Sequence, residues 1–217
     1  MTDIEQLPPA TNVVEPEPFA GPDHPMRKVT RGVAFENAWS AERATKVGEL
    51  FDSMAADWSE THVDDVKAAP IADAIERGGL PLDGSWLDLG TGTGAGMRVL
   101  APHVARLVAV DLSFQMLSHA PAVAPRAQGD ASALPFADAT FDGILAVNML
   151  LFPAELDRIL APGGVLVWVN SLGDQTPIHL PPADVATALP GTWAGRTAQA
   201  GSGFWAALRR TESSTRS

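Results

Sequence analysis

The chain has 217 residues, enough for one domain with a full core, and 26 acidic against 15 basic residues give a formal net charge of −11. That sign argues against a protein that grips a nucleic-acid backbone, so no nucleic-acid partner is expected. The lack of cysteine excludes disulfides, thiolate zinc sites and cysteine nucleophiles, and the lack of tyrosine removes one common acid–base group.

Residues 1–26 are rich in proline, glutamate and polar side chains. The run PPATNVVEPEPFAGPDHP offers little to bury and cannot build a helix or a central strand. It is expected to be a flexible tail, with part of it laid over the domain surface. No basic-then-apolar leader opens the chain and no apolar run approaches the length of a membrane span, so a soluble cytoplasmic protein with no membrane partner is expected.

Residues 27–80 read as an arm and a helical lid. Lys28 to Glu36 reads as a short strand or an irregular arm. Ser40 is a plausible N-cap, and Val47, Leu50, Phe51, Met54 and Trp58 fall on one face of a helix that follows it. A second helix spans about Val63 to Arg77, with Pro70 moving its start toward that residue. Gly78-Gly79 stops it.

Residues 81–210 alternate between apolar runs and helical stretches. Strands are predicted at Trp86–Asp88, Leu107–Val110, Arg126–Gln128, Phe141–Val147 and Val165–Val169. Helices are predicted at Ala95–Ala101, Phe114–His119 and Pro153–Leu160, the last ended by Ala161-Pro162-Gly163-Gly164. This order predicts an α/β fold with a mostly parallel sheet and helices on both faces. Trp193–Thr197 and Phe204–Leu208 are too close for a crossover helix and predict a closing antiparallel hairpin. Residues 211–217 read as a frayed end.

The first of these strands runs into LDLGTGTGAG, Leu87 to Gly96. Glycines at 90, 92, 94 and 96 suit a tight loop whose bare backbone lets a ligand approach, followed by a helix N-terminus. The next strand ends in Asp111, about 20 positions on, where a carboxylate can accept both hydroxyls of a ribose. Gly90, Gly92 and Ala95 also satisfy the dinucleotide pattern of nicotinamide enzymes, so a NAD-dependent oxidoreductase stands as an alternative.

Further motifs follow in order: VAVDLS, GDASALPF, FADATFDGILAVNML and LDRILAPGGVLVWV. With the glycine loop, their order resembles the class I S-adenosylmethionine-dependent methyltransferases, in particular the small-molecule branch, over roughly Phe51 to Arg210. The resemblance implies a Rossmann-like seven-stranded sheet with the hairpin at its end. It implies S-adenosylmethionine as cofactor, held by Asp88, Gly90, Thr91, Gly92, Gly94, Asp111, Leu112, Met116, Asp130, Ala131 and Asn148. Asp111 would take the ribose hydroxyls and Asp130 the exocyclic amine of adenine. Asp142, at the entering end of its strand, reads as structural.

Methyl transfer of this type is an in-line displacement that needs positioning and desolvation more than a catalytic group. A general base matters only where the acceptor must lose a proton. His179 with Asp174, in the loop after the fifth strand, and His62, on the lid, are the candidates. No histidine–carboxylate spacing suggests a metal. The short connections after the fourth and fifth strands leave the lid to residues before Trp86, to residues 179–190 or to a partner. A small, partly apolar acceptor is expected, on a monomer or homodimer. The second reading is an inactive cofactor-binding module that serves a protein partner.

Overall fold

The computed structural model describes residues 3–16, 18–61 and 64–211. Its centre is an eight-stranded sheet in the order β1-β7-β8-β6-β5-β2-β3-β4. The strands are β1 (Asp3–Gln6), β2 (Ser85–Leu89), β3 (Arg106–Asp111), β4 (Arg126–Gln128), β5 (Phe141–Val147), β6 (Leu160–Asn170), β7 (Trp193–Ala200) and β8 (Gly203–Arg210). All neighbours run parallel except β8, which is antiparallel to both β6 and β7. The mostly parallel sheet and the closing hairpin therefore match the expectation from sequence.

Alternation along the strands builds two cores, because successive side chains leave a strand on opposite faces. Leu87, Leu89, Ile144, Ala146, Leu166, Trp168 and Leu208 face one way, against helices α1 (Pro25–Glu36), α6 (Pro153–Ile159) and α7 (Pro182–Ala188). Trp86, Leu145, Val147, Val165, Val167, Val169 and Trp205 face the other way, against α3 (Asp64–Arg77) and α4 (Ala95–Leu100). The helix α2 (Ala41–Thr61) packs on α5 (Phe114–His119). Asp142 is structural, as expected: its carboxylate accepts the Ser85 N–H at 2.8 Å and ties β5 to the start of β2.

Three departures have physical causes. The N-terminal segment is not a free tail at its start. Asp3–Gln6 pairs in parallel with Ala194–Thr197, adding an eighth strand to the expected seven. Beyond it, the amides of Leu7, Ala10 and Val14 donate to the carbonyls of Thr197, Gln199 and Gly201 at 2.8–2.9 Å. Residues 25–36 form a helix and not a strand or arm. Pro25 sits in the first turn, where its missing N–H costs nothing, and the His24 ring accepts the Met26 N–H at 3.3 Å. Finally, α3 runs through Pro70 from Asp64 instead of starting there. Ile71 and Ala74, buried against Trp205 and Ala207, offset the lost helical hydrogen bond. Among the described residues no helix is long and apolar enough to cross a membrane, and no cluster of three or more metal-ligating side chains occurs.

Candidate cofactor site

The strand order turns around between β5 and β2: from β2 the chain moves to β3 on one side, and β5 returns on the other. At such a reversal the loops leaving the strand ends diverge and open a crevice. A cleft of about 1060 Å³, measured out to its open mouth, lies there. Asp88, Leu89, Gly90, Thr91 and Gly92 from the end of β2 line it, as do Asp111 and Leu112 after β3. Asp130 and Ala131 after β4, and Asn148 and Met149 after β5, complete the sheet side. Met116 from α5 also reaches it.

Asp88 is 1% exposed. Loss of hydration raises its carboxyl from 3.8 to about 7. The Thr91 hydroxyl, donating to Oδ2 at 2.6 Å, works against that shift, and the charge of Asp111 adds to it. Asp111 is raised as well, again chiefly by burial. The amides of Ser113, at 2.8 Å to Oδ1, and Gly92, at 2.7 Å to Oδ2, together with that of Leu112, stabilise the charged form and work against this rise. Asp111 lines the cleft with its carboxylate held in place by these backbone donors, a placement that suits a pair of neighbouring hydroxyls.

The glycine loop divides into two functions. Gly92 lines the cleft with φ +57, and a Cβ there would meet open space, so its backbone faces the ligand volume bare. Gly94, with φ +86, is not among the residues that line the cleft. A side chain there would run into Pro121 and Ala120, so it serves the turn into α4 rather than a ligand. Gly94, expected from sequence among the cofactor residues, thus sits at the turn and off the lining of this cleft.

Asp130 accepts the Ser132 N–H at 2.8 Å on Oδ1. The indole N–H of Trp39 also reaches its Oδ1 and Oδ2, at 3.1 and 3.0 Å. Asn148 adopts φ +49. Its amide is spent on Ser171, donating to the hydroxyl at 2.8 Å and accepting the Ser171 N–H at 2.9 Å. It clasps the ends of β5 and β6 while lining the cleft.

The outer wall is apolar apart from Lys67. Met26 of α1, Val47, Phe51 and Trp58 of α2, Lys67 of α3, and Leu150, Phe152 and Ile178 surround the mouth. Phe51 and Trp58 meet edge to face at 6.0 Å, and the Lys67 ammonium lies 5.6 Å from the Trp58 ring. Asp52 pins α2 down by accepting the Ser113 hydroxyl and the Gln115 amide, so the cover is tied to the turn that carries Asp111.

His179 and Asp174 do not come together as a base at this cleft. His179 is absent from its lining. Its Nδ1 bonds the Gly173 carbonyl at 3.0 Å, and its ring stands edge-on to Phe204 at 5.4 Å. Burial, then the charge of Arg27, lowers its pKa. Asp174 does not pair with it: its carboxylate accepts Gln175 Nε2 at 3.2 Å, and its carbonyl accepts the Arg27 guanidinium. His62 lies outside the described residues.

Trp39, Asp52 and Lys67 belong to the site or its support without having been singled out from sequence. Trp39 sits in a short joint between helices where no periodicity applies. Asp52 and Lys67 look like any polar residue on an amphipathic helix.

Residues 87–168 match the model of a methyltransferase domain family. Over 105 residues the chain is 35% identical to the biotin biosynthesis bifunctional protein BioHC of Cellvibrio japonicus, covering 43% of this chain and 21% of that protein. Over 96 residues it is 38% identical to a demethylmenaquinone methyltransferase of Tropheryma whipplei, covering 37% and 39%. The chain thus spans less than half the length of these curated relatives. A structure of a DhpI–SAH complex superposes with a TM-score of 0.63 at 22% identity, covering 81% of this chain and 100% of that one. The glycine loop, the two strand-end acids and the closing hairpin thus belong to a class I S-adenosylmethionine-dependent methyltransferase-like fold.

Proposed function

We propose that the protein transfers a methyl group from S-adenosylmethionine to a small, partly apolar acceptor. The observation that carries this reading is the convergence of Asp88, Gly92, Asp111 and Asp130 on one crevice from three separate strand ends. The chemistry of the residues fits the cofactor. Asp111 offers an anchored carboxylate for the ribose diol, and Asp88 is a buried acid suited to a cationic amino-acid end. Bare backbone at Gly92 leaves room between them.

The cofactor supplies an electrophilic methyl group on a sulfonium. The chain contributes holding and drying. Leu112, Met116 and Ala131 flank the volume next to Asp130, while Phe51, Trp58, Met149 and Ile178 exclude water from the mouth. Positioning and desolvation carry the reaction in this reading. The apolar outer wall supports an apolar acceptor.

Calorimetry with S-adenosylmethionine and S-adenosylhomocysteine tests the binding half. Saturable binding is expected, and Asp111→Ala is expected to weaken it by tenfold or more, because a hydrogen bond to a charged group contributes about 1.5–3 kcal/mol. No binding by either compound would refute the reading. Methyl-labelled cofactor incubated with a metabolite panel tests the transfer half. Binding without any labelled product would favour the inactive module instead.

A further inference from the structure

Trp39 stands between the two helices that cover the cleft. Asn37, in the left-handed conformation at φ 51, ends α1, and Ser40 begins α2 by accepting the Arg43 N–H on its hydroxyl at 3.2 Å. Between these caps the indole turns inward. Its N–H bridges both oxygens of Asp130, at 3.1 and 3.0 Å, while its ring meets Phe152 edge to face at 5.2 Å. Trp39, Phe152 and Asp130 all line the same cleft.

A carboxylate has about four acceptor positions. On Asp130 the Ser132 amide uses one on Oδ1, and the bridging indole uses one on each oxygen. One position remains, on Oδ2. The Ser132 contact alone would leave the group free to turn about its last bond. The second donor, anchored by a large ring packed on Phe152, fixes the plane of the carboxylate and so the direction of the one free lone pair.

We infer that Trp39 is a positioning residue for base recognition: it aims Asp130 so that the cleft selects a purine carrying an exocyclic amine. This rests on the reading of the cleft as an S-adenosylmethionine site. It also makes the α1–α2 joint part of the recognition of the base, although that joint contributes no residue to the sheet.

The test is calorimetry on the full chain with S-adenosylhomocysteine and with S-inosylhomocysteine, in which a carbonyl replaces the amine. The wild type should prefer the amine by about tenfold or more, since the half-buried Asp130 carboxylate would lose its donor and face a carbonyl oxygen instead. Trp39→Phe keeps the ring and removes the N–H. It should weaken binding of the amine form by about five- to tenfold, leave the inosyl form within about twofold, and so collapse the preference. Asp130→Asn probes the same bond from the acceptor side, and Trp39→Phe should add nothing on that background. An unchanged preference in Trp39→Phe, or equal losses for both ligands, would overturn the inference. If the wild type binds neither ligand, the cofactor reading fails and takes this inference with it. Binding with an intact preference removes only the role of Trp39.

Discussion

Asp88 and Asp111 lie at the ends of neighbouring parallel strands, and the fold buries the first fully and the second in part. The consequence is measurable at Asp88, whose carboxyl is raised to about 7. Between pH 4 and 7 the folded chain keeps a proton there that the unfolded chain has lost. Stability from this residue is therefore present at low pH, declines as pH rises through that window, and is flat above it. Asp88→Asn keeps the shape and removes the titration. Its melting temperature relative to wild type should rise from pH 4 to pH 8, by an amount on the order of 1–4 kcal/mol in stability. A parallel pair of melting curves would show that Asp88 is already ionised in the free protein. A cationic ligand beside Asp88 should expel the proton, seen near pH 7 as a binding enthalpy that varies with the buffer.

At the scale of elements, α6 acts as a brace for the loop that carries Asp130. Glu155 accepts the Leu134 N–H at 2.6 Å, and Arg158 donates to the carbonyls of Leu134 and Phe136 at 3.2 and 2.8 Å. The two side chains also pair at 2.6 Å, and the Arg158 contact holds the Glu155 carboxyl below its ordinary range. Glu155→Ala should cost about 1–3 kcal/mol, because it strands a partly buried amide and a guanidinium together. It should also weaken S-adenosylhomocysteine, whereas a helix serving packing alone would lose stability without affinity.

Sequence legibility also varied by element. Phe114–His119, Arg126–Gln128 and Phe141–Val147 were readable to the residue, because the alternation of apolar runs and helical stretches in this part of the chain speaks locally. Pro25–Glu36 was not, since prolines around it suggest a break until one sees that Pro25 opens the helix. Asp3–Gln6 carries a single apolar residue, Ile4, and becomes a strand only through β7 at the other end of the chain. The strand-end acids were legible for the same local reason, whereas the Trp39–Asp130 bond spans 91 positions and leaves no pattern in sequence.

On the scale of the whole molecule, the cleft and the N-terminal edge lie at separate places on the sheet. Among the described residues, none before Met26 lines the cleft. Removing residues 1–14 should therefore leave S-adenosylhomocysteine affinity unchanged. It strips β7 of its parallel neighbour and uncovers core under Leu7 and Ala10. A fall in melting temperature of about 2–8 °C is expected, corresponding to a loss of one or two kcal/mol. Light scattering should reveal association through the bared edge. Lost affinity in the truncated chain would mean that the edge and the crevice are coupled.

That same edge carries a consequence for how the chain reaches its fold. Asp3 finds Ala194 across about 190 positions, so this pairing pays the largest loop-closure entropy in the sheet. During synthesis β1 emerges first and waits longest for its mate. The segment DIEQ, mostly charged and polar, is poorly suited to pairing with any other strand in the meantime. Its weakness as a strand protects the rest of the sheet from a wrong first partner.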